Sequence, residues 1–293
     1  MTAYSEIVAN AFSRVQLHKA NSLMELFYII FVMVYLQHCN KIYKKINYFI
    51  SNIMLKIDLH VHTLASGHAQ NTILEYVNRA KFLKMKVVGI SDHGPSTDSL
   101  ATETYFATLK RIPEKINGIR VLKGIEANII NPKGDIDISD TVIGKLDYIM
   151  AGFHPNRFYA NKGEKENTDT IINALKQGKI NILTHPFVTH LFPSNVARVS
   201  EEACKNNVLL EVNLHYMKKF REHKQIMSNL RIMIEVSKQN KKKIIIGSDA
   251  HNVWELGNDS IMSKMKKEIR LTNKMVINNY PAELSRLVKI NNI

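Results

Sequence analysis

The stretch Leu55-Lys56-Ile57-Asp58-Leu59-His60-Val61-His62 decides both the fold and the chemistry of this chain. Its first half is a short apolar run, which predicts a buried strand over 56–59. Two histidines follow where that strand ends, two residues apart. Because alternate residues of an extended chain point to the same side, His60 and His62 are able to reach one metal ion.

Similar apolar runs recur along the chain and alternate with amphipathic stretches. We predict seven strands, at 56–59, 87–91, 121–125, 148–153, 180–184, 208–212 and 243–247. Stretches such as 72–84 and 168–177 have apolar residues at helical spacing and are predicted helices. Repeated strand-then-helix order requires parallel strands with outer helices, so the fold class is α/β and the seven strands indicate a barrel. We expect residues 55–293 to form one domain, since no repeat or linker interrupts them.

Polar side chains able to bind metal follow the predicted strands at their carboxyl ends. In a parallel barrel these ends converge on one face, where active sites are built. One histidine alone is usually a packing or surface residue, but chance does not explain histidines and carboxylates at the same edge of six strands. The candidates are His60, His62, His93, Glu126, His154, His185, Asp249 and His251.

The side-chain types of these candidates limit which metal ions and which reactions are possible. Imidazoles and carboxylates without paired thiolates favour Zn²⁺, Mn²⁺ or Fe²⁺. The two cysteines, Cys39 and Cys204, cannot build a disulfide framework, so we expect a reducing, cytoplasmic compartment. Ions held about 3.5–4 Å apart can clamp the attacking and leaving oxygens of a displacement at phosphorus, which predicts phosphate ester hydrolysis. The ligands alone are also compatible with a metal-dependent amidohydrolase.

The composition excludes a disordered or fibrous chain. The 293 residues are 45% hydrophobic, with 40 Lys and Arg against 26 Asp and Glu, a net charge of +14. This balance is compatible with a nucleic-acid or anionic-membrane partner, but mixed lysine runs such as 241–243 favour a solvated basic surface. The chain also lacks the alternation of aromatic and basic residues that single-strand binders use.

Residues 1–54 differ from the rest and are predicted to be an N-terminal extension. Their apolar run at 26–36 is 11 residues long, whereas a spanning helix needs about 20. We therefore expect no stable membrane span. Two interpretations remain open: Met54 is the true start of the protein, or the segment is a real but loosely attached or membrane-touching one.

Four motifs together resemble one known family. They are Asp58-Leu59-His60-Val61-His62-Thr63, Ser91-Asp92-His93-Gly94-Pro95, Gly124-Ile125-Glu126-Ala127-Asn128 and Gly247-Ser248-Asp249-Ala250-His251. Through them, residues 55–288 resemble the PHP (polymerase and histidinol phosphatase) family. Stretches 65–69, 125–129, 134–137 and 151–154 are most similar to the YcdX-type phosphatases. The resemblance implies a distorted (β/α)7 barrel, which agrees with the seven strands predicted independently.

The resemblance also implies a trinuclear centre with three groups of ligands. The first ion would be held by His60, His62, Glu126 and Asp249, the second by Glu126, His154 and His185, and the third by His68, His93 and His251. Glu126 would bridge the first two ions. Three divalent ions are expected, Zn²⁺ first, with Mn²⁺ or Fe²⁺ as alternatives. Glu126, Asp249 and His251 are the expected catalytic residues.

We expect metal-dependent hydrolysis of a small phosphate monoester by metal-activated water. The alternatives are a histidinol-phosphate phosphatase, a phosphodiesterase or 3′-exonuclease like the PHP domains attached to DNA polymerases, and a basic metal-binding interaction module without activity. Nucleic acid is the less favoured partner, and the sequence does not predict an oligomeric state.

Several residues near the motifs have two interpretations. Asp92 is expected to orient an imidazole, whereas Asp58 is equally compatible with that role and with capping a strand end. We expect His215 on the surface, with the pocket wall as the alternative. Three basic residues of the loop after the fourth strand are either phosphate contacts or solvated, and solvation is the favoured interpretation: Arg157, Lys162 and Lys165.

Overall fold

The computed structural model describes residues 35, 38 and 55–288. The chain divides into two units, Met1–Asn52 and Ile53–Ile293, and all elements below belong to the second. The predicted N-terminal extension, its apolar run and the proposed start at Met54 lie outside the described residues, apart from positions 35 and 38. Within the described part of the chain, no helix is both long and apolar enough to cross a bilayer.

The strands form one eight-stranded sheet. They are β1 Ile57–Asp58, β2 Val87–Ile90, β3 Lys115–Ile116, β4 Ile119–Asn128, β5 Tyr148–Gly152, β6 Ile182–Leu183, β7 Leu209–Asn213 and β8 Ile245–Gly247. Seven of them are parallel and follow the order β1-β2-β4-β5-β6-β7-β8. A parallel bridge between Val61 and Ala250 joins the chain beyond β1 to the chain beyond β8. The sheet is therefore a nearly closed barrel, and the predicted distorted (β/α)7 fold is confirmed.

Strand β3 is an element that the sequence analysis missed. It pairs antiparallel with the start of β4, where Lys115 faces Arg120 and Ile116 faces Ile119. The connection is Asn117-Gly118, and both residues have positive φ, 51° and 87°. Asn-Gly between two apolar residues is the strongest short signal for a two-residue hairpin turn, so the sequence contains the information.

Helices occupy the connections. They are α1 Ile73–Phe82, α2 Glu103–Thr108, α3 Asp140–Ile143, α4 Glu164–Lys176, α5 Val196–Lys205, α6 Leu214–Lys219, α7 Lys224–Gln239, α8 Ser260–Met265 and α9 Pro281–Leu287. Helix α1 begins with a capping box in which Thr72 and Glu75 each bond the other's backbone N–H. It buries Tyr76, Val77 and Ala80, the face that the apolar spacing predicts.

An apolar layer fills the amino-terminal half of the barrel. Each of the seven parallel strands contributes a buried side chain to one cluster, most of them from its first residues: Ile57, Val87, Leu122, Tyr148, Ile182, Leu209 and Ile245. The Tyr148 ring lies against Gly89 and Gly124, where a Cβ atom would overlap it. Its hydroxyl donates a 2.6 Å hydrogen bond to the Leu59 carbonyl. Because this layer closes one end, the polar strand ends are confined to the other.

Candidate metal centre

Glu126, near the end of β4, is the centre of a cluster of imidazoles. The residue is 1% exposed. Its Oε1 lies 3.2 Å from His60 Nε2, 3.2 Å from His154 Nε2 and 3.3 Å from His185 Nε2. Its Oε2 lies 3.0 Å from His93 Nδ1 and 3.4 Å from His62 Nε2. Five histidines from four strand ends therefore face one buried carboxylate.

Asp249 supplies a second carboxylate, which lies close to His60 and His62. Its Oδ1 lies 3.1 Å from His62 Nε2, 3.5 Å from His60 Nε2 and 3.5 Å from His251 Nδ1. Asp249 adopts a positive φ of 55°, and His185 one of 31°. Backbone conformations of this kind are uncommon outside glycine and concentrate at functional sites.

Two pairs of histidines approach each other through their ring nitrogens. His154 Nε2 lies 3.0 Å from His185 Nε2, and His251 Nε2 lies 2.9 Å from His68 Nε2. Two donor atoms that bind the same ion at about 2.1 Å, with a tetrahedral angle between them, lie about 3.4 Å apart. The separations of 2.9–3.5 Å throughout this cluster are close to that value.

The donor atoms form three overlapping groups, each within 4.8 Å. They are His60, His62 and Asp249; His93, Glu126 and His154; and His62, His93 and His251. All nine residues predicted as ligands are thus brought together, because His185 contacts Glu126 and His68 contacts His251. The grouping differs from the predicted one in that His62 and His93 each belong to two groups.

Four of these donor atoms are buried without a hydrogen-bond partner: His60 Nε2, His62 Nε2, His93 Nδ1 and Glu126 Oε1. Leaving a buried polar atom unpaired costs about 1–3 kcal/mol, so four in one place need an explanation. All four face the centre of the cluster and are imidazole nitrogens or a carboxylate oxygen. Divalent cations such as Zn²⁺ match this donor set and would satisfy all four atoms.

The opposite ring nitrogens of several ligands are held by neighbouring groups. His60 Nδ1 lies 2.5 Å from Glu211 Oε1, and His62 Nδ1 lies 3.0 Å from Ser66 Oγ. His154 Nδ1 lies 2.9 Å from Asn128 Oδ1. Such contacts fix the tautomer and rotation of a ligating imidazole. Here they turn each Nε2 towards the centre.

Glu211, at the centre of β7, is the supporting residue whose role sequence reasoning missed. It is 0% exposed. While Oε1 contacts His60, Oε2 accepts hydrogen bonds from the His185 backbone N–H at 2.9 Å and from Asn213 Nδ2 at 3.3 Å. Asn213 Nδ2 also donates to Asp249 Oδ2 at 3.1 Å. The Glu211 carboxylate therefore links three of the proposed ligands: His60 and His185 directly, and Asp249 through Asn213.

Asp92 supports the centre through a hydroxyl and not by direct contact with an imidazole. It accepts hydrogen bonds from Thr63, Ser66 and Tyr105, and the Ser66 hydroxyl in turn contacts His62. Asp58 caps the backbone, since it accepts from the N–H groups of His60 and Ser248. Of the two interpretations open for Asp58, the observed contacts are those of a strand-end cap.

A similar series of hydrogen bonds supports His154, and it begins at Asp137. Asp137 accepts from both the backbone N–H and the side-chain amide of Asn128, whose Oδ1 contacts His154. It also accepts from the N–H and hydroxyl of Ser96. Gly94 is required here because a Cβ atom would overlap the Asp137 carboxylate.

The electrostatics of the cluster follow from burial and proximity. Burial alone would raise the pKa of Glu126, but the imidazoles of His60, His154 and His93 hold it well below its usual range. Burial likewise opposes protonation of His60, yet the carboxylates of Glu211, Glu126 and Asp249 raise its pKa well above the ordinary value. Burial and the neighbouring His93 lower the pKa of His62 well below its ordinary value.

A cavity of about 580 Å³ opens onto the cluster. Seven of the predicted ligands line it: His68, His93, Glu126, His154, His185, Asp249 and His251. His215 and Tyr216 of α6 line it as well. His215 is exposed, as expected, and also forms part of the pocket wall. Arg157, Lys162 and Lys165 are not among the described residues that line it, and Lys165 pairs with Asp169 at 3.0 Å.

The chain is similar to several bacterial proteins named probable phosphatase. One from Clostridium botulinum (strain Hall) is 36% identical over 233 residues, which cover 80% of this chain and 94% of that protein. One from Proteus mirabilis (strain HI4320) is 34% identical over 234 residues, which cover 79% of this chain and 93% of that protein.

Solved structures share the fold at low sequence identity. The histidinol phosphate phosphatase of Lactococcus lactis, solved with zinc, L-histidinol and phosphate, has a TM-score of 0.50 and 13% identity, over 74% of this chain and 94% of that one. A chain of an archaeal ribonuclease P solved with mature tRNA has a TM-score of 0.54 and 14% identity, over 81% of this chain and 94% of that one.

The profile of the PHP domain matches residues 58–286, which include all nine predicted ligands. Together with the relatives above 30% identity, this match fixes the family and confirms the resemblance carried by the four motifs. The chain belongs to the PHP domain family.

Proposed function

We propose that the protein hydrolyses small phosphate monoesters at a centre of three divalent ions. The observation that carries the proposal is Glu126, whose two oxygens lie within 3.0–3.4 Å of five imidazole nitrogens. Its family and the relatives named probable phosphatases agree with this chemistry, and the chain is a hydrolase on the same grounds.

The nine clustered residues are the proposed ligands. We assign His60, His62, Glu126 and Asp249 to the first ion, Glu126, His154 and His185 to the second, and His68, His93 and His251 to the third. Zn²⁺ is the ion that we propose first, with Mn²⁺ and Fe²⁺ as alternatives. Ions bound there would supply positive charge at the phosphoryl oxygens and would lower the pKa of water towards neutrality.

The residues of the chain position the ester and the ligands. Glu211, Ser66 and Asn128 hold ligand rings through their Nδ1 atoms, and Glu126, Asp249 and His251 are the proposed catalytic residues at the cavity wall. In the reaction, water adds to phosphorus, the bond to the ester oxygen breaks, and the leaving alcohol takes up a proton. No protein nucleophile is required.

A small substrate is favoured over a nucleic acid by the cavity lining. None of the described residues that line the cavity at the cluster is a lysine or an arginine. Binding a nucleic-acid backbone requires several such contacts to phosphates. The histidinol phosphatase and ribonuclease P neighbours share the fold only, so histidinol phosphate and polynucleotides enter as substrates to be tested.

We propose that residues 55–293 are the phosphoesterase domain and that residues 1–54 are an extension outside it. We also propose a cytoplasmic location, because Cys204 is a buried free thiol outside the cluster and two cysteines cannot build a disulfide framework.

The test compares turnover of p-nitrophenyl phosphate with that of its diester, bis-p-nitrophenyl phosphate. We expect monoester turnover by the full chain that is lost on chelation and restored by Zn²⁺. His154→Ala should reduce it by at least tenfold, whereas the matched control His190→Ala, outside the cluster, should retain it.

A preference for the diester, with binding that weakens steeply as salt is added, would favour the phosphodiesterase or nuclease. Absence of chelator-sensitive turnover with either ester would overturn the proposal.

A further inference from the structure

A second cavity of about 510 Å³ adjoins the one at the metal cluster. His215 lines both cavities. The second cavity is also lined by Ser248, the neighbour of Asp249, and by Glu255, whose carboxylate accepts a 2.8 Å hydrogen bond from the His251 N–H. The second cavity therefore lies next to Asp249 and His251, the proposed ligands that follow β8.

The second cavity provides the positive side chains that the first lacks. Lys218 and Lys219, from the last turn of α6, both line it. Lys219 Nζ lies 5.8 Å from the ring of Tyr216, which belongs to the wall of the first cavity. Lys218 has no hydrogen bond or ion pair with any other described residue. An unpaired ammonium group beside a reaction site is available to an anionic ligand.

The remaining lining is partly apolar and partly polar, and the cavity's lysines outnumber its acidic residues. Asn258 and Ser260 are polar residues of the lining, and Glu255 is the one acidic residue among the described lining residues. One oxygen of Glu255 is already engaged by the His251 backbone. Two ammonium groups against one carboxylate give the cavity a net positive charge.

We propose that this cavity receives the alcohol portion of the substrate and selects one that carries a second negative charge. The substrate class is a phosphate monoester whose alcohol bears a carboxylate or a second phosphate. The scissile phosphate lies at the cluster, the alcohol passes His215, and its anionic group meets Lys218 and Lys219. This inference rests on the proposed phosphatase activity and specifies its substrate class.

The test uses three phenyl esters whose meta substituent is anionic, absent or cationic. They are 3-carboxyphenyl phosphate, phenyl phosphate and 3-(aminomethyl)phenyl phosphate. We expect kcat/KM to fall in that order for the full chain. Lys218→Met and Lys219→Met should each reduce the preference for the carboxylate over phenyl phosphate by about fivefold. Lys224→Met, an exposed lysine of α7 outside the cavity, should leave the preference unchanged.

Binding provides a second readout that does not depend on turnover. We expect 3-carboxybenzylphosphonate, which cannot be hydrolysed, to bind more tightly than benzylphosphonate in calorimetric titrations, and the two lysine variants to reduce the difference. Equal kcat/KM for all three esters, with turnover still sensitive to chelator, would overturn the inference and leave the phosphatase intact. Absence of turnover with all three would overturn the phosphatase proposal and this inference with it.

Discussion

The Glu211→Gln substitution tests how the barrel holds its metal ligands. The side chain keeps its volume, but the His60 Nδ1 contact at 2.5 Å loses its negative partner. A hydrogen bond to a charged group contributes about 1.5–3 kcal/mol against about 1 kcal/mol for a neutral one. The ligand becomes less basic, and loss of such a partner typically weakens metal binding by about tenfold to a hundredfold.

The same substitution has a separate effect on folding. In the variant the amide NH₂ group faces the His185 N–H and Asn213 Nδ2, which are themselves donors. An unsatisfied buried donor costs about 1–3 kcal/mol. For a domain of this size, each kcal/mol lowers Tm by about 2–4 °C. We therefore expect the metal-free variant to unfold about 2–12 °C below the parent protein.

Zinc affinity is measured by competition with a chromogenic chelator, and Tm by calorimetry of the chelated protein. Glu201→Gln, an exposed acid on α5, is the matched control and should change neither quantity. If Glu211→Gln binds the same number of ions with parental affinity, the supporting role of this carboxylate is refuted.

Three further predictions concern the cluster. Glu126→Gln should lower kcat by at least a hundredfold and reduce the bound metal, because this carboxylate faces five imidazoles; full activity would refute its bridging role. His68→Ala should raise KM more than it lowers kcat if the third ion serves mainly to bind substrate, and steady-state kinetics separate the two; an equal loss of kcat and kcat/KM would contradict that role. Acidification should release metal only at low pH: burial lowers the pKa values of His62 and His68, so their neutral, ligating forms persist to a lower pH than those of ordinary histidines. Metal content after dialysis at a series of pH values measures this, and loss of metal already near the ordinary histidine pKa of about 6.5 would contradict the reasoning.

The metal cluster could be predicted from the sequence because eight of its nine proposed ligands follow predicted strands. Each of His60, His93 and Glu126 lies at the end of an apolar run, and parallel strands must bring such ends to one face. That rule needs no knowledge of distances. His68 lies outside any strand and was identified only through the family resemblance.

The supporting contacts could not be predicted because they join distant parts of the chain. Glu211 is 151 residues from His60, and nothing local indicates that the two meet. The sharing of His62 and His93 between donor groups depends on ring orientations, which packing determines. The β3 hairpin is a different case, since its Asn117-Gly118 turn was present in the sequence and was overlooked.

The most direct test of the proposed trinuclear centre is a crystal structure of the purified full chain with anomalous diffraction recorded on both sides of the zinc edge. We expect three anomalous peaks among the nine proposed ligands, with Glu126 between two of them and Glu211 in contact with His60. For Mn²⁺ or Fe²⁺, the same three positions should appear at the corresponding edge. A metal-loaded crystal with no peak in the cluster, or with a single ion bound by other residues, would contradict this expectation.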